Sequence, residues 1–138
     1  SHLFERKDVV IARPDHPLGD KRDMRLPDLA EDDWLMLEPG STSRGLVDQA
    51  MLDEGMRPTV VMELGSIEVI KKFVGIGLGI ALVPEVAVGR ELADGDLRRL
   101  DVGGIPLRQV SLILRPGGYL SPAADAFLGI FKKDVVVR

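Results

Sequence analysis

Short apolar runs alternate with amphipathic segments along the chain, and this alternation predicts an α/β fold. Four runs are too short for helices and rich in β-branched or aliphatic residues, which indicates strands at 9–12, 34–37, 59–64 and 80–83. Apolar residues with helical spacing predict one helix from the turn at 41–43 to Glu54 and another from Ser66 to the glycines at 75–79. A short helical turn is expected at 27–30.

The second half of the chain continues the alternation. It predicts a short helix over 85–93, strands over 97–102 and 107–115, and a C-terminal helix that begins at Ser121. Ser121 is a suitable cap, Pro122 suits the first helical position, and the lysines at 132 and 133 suit the last turn.

Composition narrows the classes of partner. Hydrophobic residues make up 45% of the chain and aromatic residues 4%, so the core should be aliphatic and platforms for stacking nucleic-acid bases are scarce. The formal net charge of −4 opposes DNA binding by this chain itself. The lack of cysteine excludes disulfides and thiolate sites and fits a cytoplasmic location. The longest weakly charged stretch, 73–84, is far shorter than the roughly 20 residues of a membrane helix.

Candidate catalytic groups are sparse. The histidines are His2 and His16, and a triad of Ser43, His16 and Asp48 can be written only because such triples arise by chance. The glycines at 75, 77 and 79 resemble a dinucleotide loop, but they follow a helix and precede a strand, which reverses the order that such a loop needs. We therefore predict no enzymatic activity, no cofactor and no metal site.

Two strand-to-helix turns carry serine at the start of the helix, one at 40–43 and the other at Gly65–Ser66. Each offers backbone N–H groups, a hydroxyl and a positive helix terminus, which suit a carboxylate or another small oxyanion. In an α/β sheet both turns would lie at the carboxyl edge, where ligands bind. Ordinary N-capping, worth about 1 kcal/mol per helix, is the alternative interpretation. Arg44 could add a bidentate donor.

Several segments carry a recognisable pattern in unbroken order between residues 9 and 133. They are HPL at 16–18, LPDL at 26–29, SR at 43–44, ELGSIEVIK at 63–71, GLGIALVP at 77–84 and SPAADAFL at 121–128. Together they resemble the effector-binding domain of LysR-type transcriptional regulators, and the segment from 65 to 84 is the most specific part.

The resemblance implies a fold like that of type II periplasmic binding proteins, with a mixed sheet flanked by helices. It divides the chain into an N-terminal tail or expression remnant (1–8), a second regulatory subdomain with both crossover strands (9–115), and a C-terminal helix and tail that pack on the first subdomain (116–138). The crossover strands would lie at 9–12 and 110–115.

The resemblance also implies a site and partners. A small effector, such as a carboxylate or another small anion, would bind in the cleft between subdomains, and the implied contacts are Ser41, Thr42, Ser43, Gly65, Ser66, Val83 and Pro84. It implies a cytoplasmic homo-oligomer that contacts DNA only through a helix-turn-helix outside this chain, without a membrane partner. The alternatives are a periplasmic-type solute-binding domain, a hydrolase that uses His16, and a fragment that serves only oligomerisation.

Overall fold

A computed structural model describes residues 2–105 and 107–112, with side chains from Glu5 to Ile105 and that of Leu107. Its strands are β1 (His2–Arg6), β2 (Asp8–Ala12), β3 (Met24–Arg25), β4 (Asp33–Leu37), β5 (Thr59–Leu64), β6 (Ala81–Pro84), β7 (Arg98–Arg99), β8 (Val102–Gly103) and β9 (Arg108–Leu112). Its α-helices are α1 (Thr42–Asp53), α2 (Ile67–Gly75) and α3 (Gly89–Asp94), and 3-10 turns span Leu26–Leu29 and Glu85–Ala87. The helix predicted from Ser121 and the C-terminal tail lie outside the described residues.

The strands form a mixed sheet. β2 pairs antiparallel with β6 on one side and with β7 on the other, and β4 pairs parallel with β5. A parallel bridge between Trp34 and Ile80 joins β4 to the start of β6. The order across the sheet is therefore β5-β4-β6-β2-β7. Two further pairs lie beside it, β3 with β8 in parallel and β1 with β9 antiparallel.

Helices cover both faces of this sheet. β2 is buried along its whole length, and its side chains alternate between two apolar clusters because successive residues of a strand point to opposite faces. One cluster holds Val10, Trp34 and the apolar face of α1, and the other holds Ile11, Leu35 and the apolar face of α2. Burial on both faces explains why β2 has a continuous apolar sequence.

The helix starts follow the sequence prediction. Ser41 Oγ accepts the backbone N–H of Arg44 at 3.0 Å and begins α1, and Ser66 Oγ accepts the N–H of Val69 at 3.2 Å and begins α2. Gly55 follows α1 with a φ of +68°, a left-handed conformation that glycine adopts without strain. The mixed sheet flanked by helices is thus confirmed within the described residues.

Three local predictions need correction. The helix expected over 85–93 is a 3-10 turn followed by α3, because Val88 lies fully buried between them with a φ of −124°. The strand expected over 97–102 is two short strands, since the chain leaves β2 after β7 and pairs with β3 through β8. The N-terminal tail expected over 1–8 is wrong for His2–Arg6, which form β1 against β9.

The strand expected over 107–115 corresponds to β9 where the structure describes it, and its partner β1 could not be recognised from a charged five-residue segment. In the described part of the chain, no helix is long and apolar enough to cross a membrane.

Candidate functional site

Four strands bring the predicted site residues to one edge of the sheet. β4 and β5 run parallel and end side by side, with Leu37 opposite Leu64. β6 runs in the same direction as β4, so Val83 and Pro84 lie at this edge as well. β2 is antiparallel and begins here, with Asp8 paired to Pro84. The turns that start α1 and α2 therefore emerge at the same edge, as the sequence predicted; we call it the ligand edge.

The serines that begin the two helices act as N-caps. Ser41 and Ser66 use their hydroxyl oxygens as acceptors for their own helices, and both residues are exposed. Thr42 and Gly65 are exposed beside them. These four residues present hydroxyls and helix N-termini at the surface of the ligand edge.

A small cavity lies behind that surface, between the first turn of α1 and the end of β6. Its volume is about 10 Å³, close to what a single water molecule needs. Among the predicted site residues Ser43, Val83 and Pro84 line it, whereas Ser41, Thr42, Gly65 and Ser66 do not. Its other polar lining residues are Arg6 and Arg44.

Arg6 is the residue that sequence reasoning missed. Its side chain is 3% exposed and its Nε donates to Asp8 Oδ1 at 2.8 Å, which forms a buried ion pair. Its Nη1 donates to Ser43 Oγ at 3.1 Å. The sequence signal for this pair is the Arg-x-Asp spacing, since residues two apart share one face of an extended chain. The signal was missed because residues 1–8 were predicted to form a tail.

Arg44 does not offer a free guanidinium. Nη1 donates to the carbonyl oxygen of Leu37 at 2.8 Å and to Glu63, and Nε donates to Asp48 Oδ1 at 2.9 Å. The hydrogen bond to Glu63 raises the pKa of Arg44, helped by Asp48 and opposed by burial. The Arg44 side chain links α1 to the ends of β4 and β5. It therefore stabilises the fold and is not the free bidentate donor that the sequence predicted.

The structure does not bring the candidate triad of Ser43, His16 and Asp48 together. His16 follows the end of β2 and lines a different cavity with Asp33 and Ile80, where β4 and β6 begin. Its Nε2 lies 3.2 Å from Asp32 Oδ1, and its Nδ1 accepts the backbone N–H of Leu18 at 3.1 Å. His16 therefore lies at the opposite edge of the sheet from Ser43, whose hydroxyl oxygen accepts a hydrogen bond from Arg6.

The glycines after α2 form a tight turn that leads the chain into β6. Gly77 has a φ of +86°, and a Cβ at Gly79 would lie 2.7 Å from the backbone oxygen of Asp33. Small residues are needed for this approach to β4, which agrees with the interpretation of a tight turn rather than a dinucleotide loop. Among the described residues, no group of three or more His, Cys, Asp or Glu is placed to hold a metal ion.

Comparisons with known proteins agree with this architecture. The family whose description is "LysR substrate binding domain" matches residues 1–135. The HTH-type transcriptional regulator CbbR of Rhodospirillum rubrum is 37% identical over 125 residues, which cover 90% of this chain and 41% of CbbR. The RuBisCO operon transcriptional regulator of Allochromatium vinosum is 40% identical over 120 residues, which cover 86% of this chain and 40% of that protein. The chain thus spans about two fifths of these relatives.

A solved structure shares the same fold. The CcmR regulatory domain of Synechocystis, in complex with 2-PG, has a TM-score of 0.71 at 30% identity, and the match covers 94% of this chain and 62% of that chain. This regulatory domain has a type II periplasmic-binding-protein-like fold, which agrees with the mixed sheet flanked by helices. Since the family match spans almost the whole sequence, the chain belongs to the LysR substrate-binding domain family.

Proposed function

We propose that this chain is the effector-sensing part of a LysR-type transcription regulator and binds a small anion at the ligand edge. The observation that carries the proposal is the meeting of two helix N-termini, the Ser43 hydroxyl and the end of β6 at one sheet edge. Helix N-termini favour anions through unpaired N–H groups and the helix dipole. The regulated genes would be reached through DNA-binding parts outside this chain, and no catalysis is required.

The relative CcmR supports the chemical class of effector. Its regulatory domain was solved with 2-PG, and 2-phosphoglycolate carries one carboxylate and one phosphate group. Both groups are oxyanions of the kind that suits the ligand edge. We propose that residues 9–115 form the second regulatory subdomain with both crossover strands and supply one wall of the effector cleft. A further subdomain of the regulator would supply the other wall, and residues 116–138 would pack on that subdomain.

Calorimetric titration of the full-length regulator tests this proposal. The probes are 2-phosphoglycolate, glycolate and the neutral glycolamide, each at constant ionic strength. We expect saturable binding of the anions and none of glycolamide, because the amide carries no charge for the helix N-termini to stabilise. Equal binding of glycolamide, or no binding of any small carboxylate or phosphate, would rule out an anion site at this edge.

The exposed strand β5 supports the proposal that the regulator is a homo-oligomer. In the described part of the chain β5 pairs only with β4, and its side chains Val60, Val61 and Met62 are 36–45% exposed. Exposed apolar residues on an edge strand favour association with another chain. Effector closure would then alter the geometry of the oligomer, provided that the effector binds the two arrangements with different affinity. Sedimentation velocity with and without 2-phosphoglycolate separates effector control from a role in oligomerisation alone.

The cytoplasm is the proposed location, since DNA is the site of action of a transcription regulator. A periplasmic-type solute-binding protein with the same fold remains the alternative function. The two differ in one measurable property: in the regulator, 2-phosphoglycolate changes the affinity for operator DNA, whereas a solute-binding protein has no such linkage.

A further inference from the structure

Arg6 belongs to a different part of the fold from the rest of the ligand edge. It is the last residue of β1, which pairs with β9, whereas Ser43 lies in the first turn of α1 beside β4. The Arg6 side chain nevertheless lines the same cavity as Ser43, Val83 and Pro84. β1 thus contributes a buried cation to the site on which the proposed function rests.

The hydrogen bonds of Arg6 fix the direction of the Ser43 hydroxyl. A guanidinium only donates hydrogen bonds and stays protonated in proteins. Because Nη1 of Arg6 donates to Ser43 Oγ, that oxygen is an acceptor in this contact. Within the described residues the Ser43 hydroxyl donates no hydrogen bond, so its hydrogen is available to the cavity that the residue lines.

The buried charges give the site a preference for acceptor groups. Asp8 neutralises Arg6 through the 2.8 Å contact at Nε, but only Arg6 of this pair lines the cavity. Because the cavity is the size of one water molecule, it can receive a single effector oxygen, which would meet a guanidinium and a hydroxyl hydrogen. These donors suit a carboxylate or phosphate oxygen. An ammonium group would be repelled by Arg6 and would compete with it for the Ser43 oxygen.

We propose that Arg6 is a positioning residue of the effector site: it holds Ser43 as a hydrogen-bond donor to an oxyanion oxygen of the effector. Removal of Arg6 then costs the Ser43 contact as well, because the hydroxyl is free to rotate towards backbone carbonyls. The energies of Arg6 and Ser43 in effector binding are therefore coupled.

The test is a double-mutant cycle in the full-length regulator with 2-phosphoglycolate as the probe. Arg6→Met is combined with Asp8→Asn, because removal of one partner alone would leave a buried charge unpaired. We expect the Arg6/Asp8 pair variant and Ser43→Ala each to weaken binding roughly 10- to 100-fold, the range for one hydrogen bond to a charged group. Adding Ser43→Ala to the pair variant should cause less than a further twofold loss. Arg90→Gln, at a residue with a 91% exposed side chain, is the control that leaves affinity unchanged.

The outcomes separate the two proposals. Wild-type affinity in the pair variant, or strictly additive losses with Ser43→Ala, overturns the positioning role while anion binding stands. Failure of the wild type to bind any small carboxylate or phosphate overturns the proposed function and the positioning role together. A thermal melt checks that the pair variant folds. If it does not, Arg6→Lys enters the same cycle: coupling to Ser43→Ala supports the inference, and additivity overturns it.

Discussion

Replacement of Arg44 by methionine tests how the ligand edge is held together. Methionine keeps the apolar stem of the side chain but removes all three contacts of the guanidinium. The Arg44 side chain is 14% exposed, whereas those of Asp48 and Glu63 are 54% and 43% exposed. The two ion pairs should thus contribute little, about 0.5 kcal/mol each. The part-buried hydrogen bond to the carbonyl of Leu37 is the larger contribution, about 1.5–2 kcal/mol.

The expected loss in the free energy of unfolding is therefore about 2.5–3 kcal/mol, which corresponds to a fall in Tm of roughly 8 °C for a domain of this size. Urea unfolding followed by circular dichroism measures it in the wild type and in Arg44→Met. The double variant Asp48→Asn with Glu63→Gln is the matched control, with an expected loss of about 1 kcal/mol. If the double variant loses as much as Arg44→Met, the carbonyl contact is not the main contribution and the reasoning is refuted.

Three further results are expected. Ser66→Asp keeps the N-cap of α2 but adds a carboxylate at the ligand edge, so 2-phosphoglycolate affinity should fall at least tenfold with little change in Tm. Burial alone would raise the pKa of Glu91, but hydrogen bonds from Lys71 and the backbone, together with the charges of Lys71 and Arg90, lower it overall. The resulting stability is present above the unfolded pKa and is lost as pH falls through the folded pKa, so Glu91→Gln should flatten the acid limb of a plot of urea midpoint against pH. Gly79→Ala should destabilise the fold by about 1–3 kcal/mol, because its Cβ would lie 2.7 Å from the Asp33 carbonyl oxygen.

Each result has a control. Ser66→Thr retains the cap without the charge, and equal loss of affinity in that variant would contradict an electrostatic effect. An unchanged acid limb in Glu91→Gln would mean that the contact with Lys71 contributes no stability. Gly89→Ala introduces a Cβ with no atom within 4 Å, so Gly79→Ala should be the more destabilising of the two.

Local sequence signals explain what could be predicted. β5 has the predicted bounds, and α1 and α2 begin at their serine caps, because capping and apolar periodicity act over a few residues. Prediction failed where distant segments decide the structure. β1 depends on pairing with β9, about a hundred residues later, and the predicted helix after β6 is interrupted because Val88 is buried in the core.

The candidate site shows the same division. Strand order and the rule that ligands bind at carboxyl edges predicted that the turns at 40–43 and 65–66 share one edge of the sheet. Val83 and Pro84 came only from the family resemblance, and they line one cavity with Ser43. The sequence could not reveal that the Arg44 guanidinium is already hydrogen-bonded to residues of β4, β5 and α1, because those contacts come from tertiary packing. It could not reveal Arg6 either, because Arg6 is buried at the end of β1, a strand that depends on pairing with the distant β9.

A crystal structure of the full-length regulator with 2-phosphoglycolate tests the central claim most directly. The account predicts an oxyanion oxygen within hydrogen-bond distance of Ser43 Oγ, at the edge where β4, β5 and β6 end. Density for the anion at the opposite edge, beside His16, or away from both helix N-termini, would contradict it.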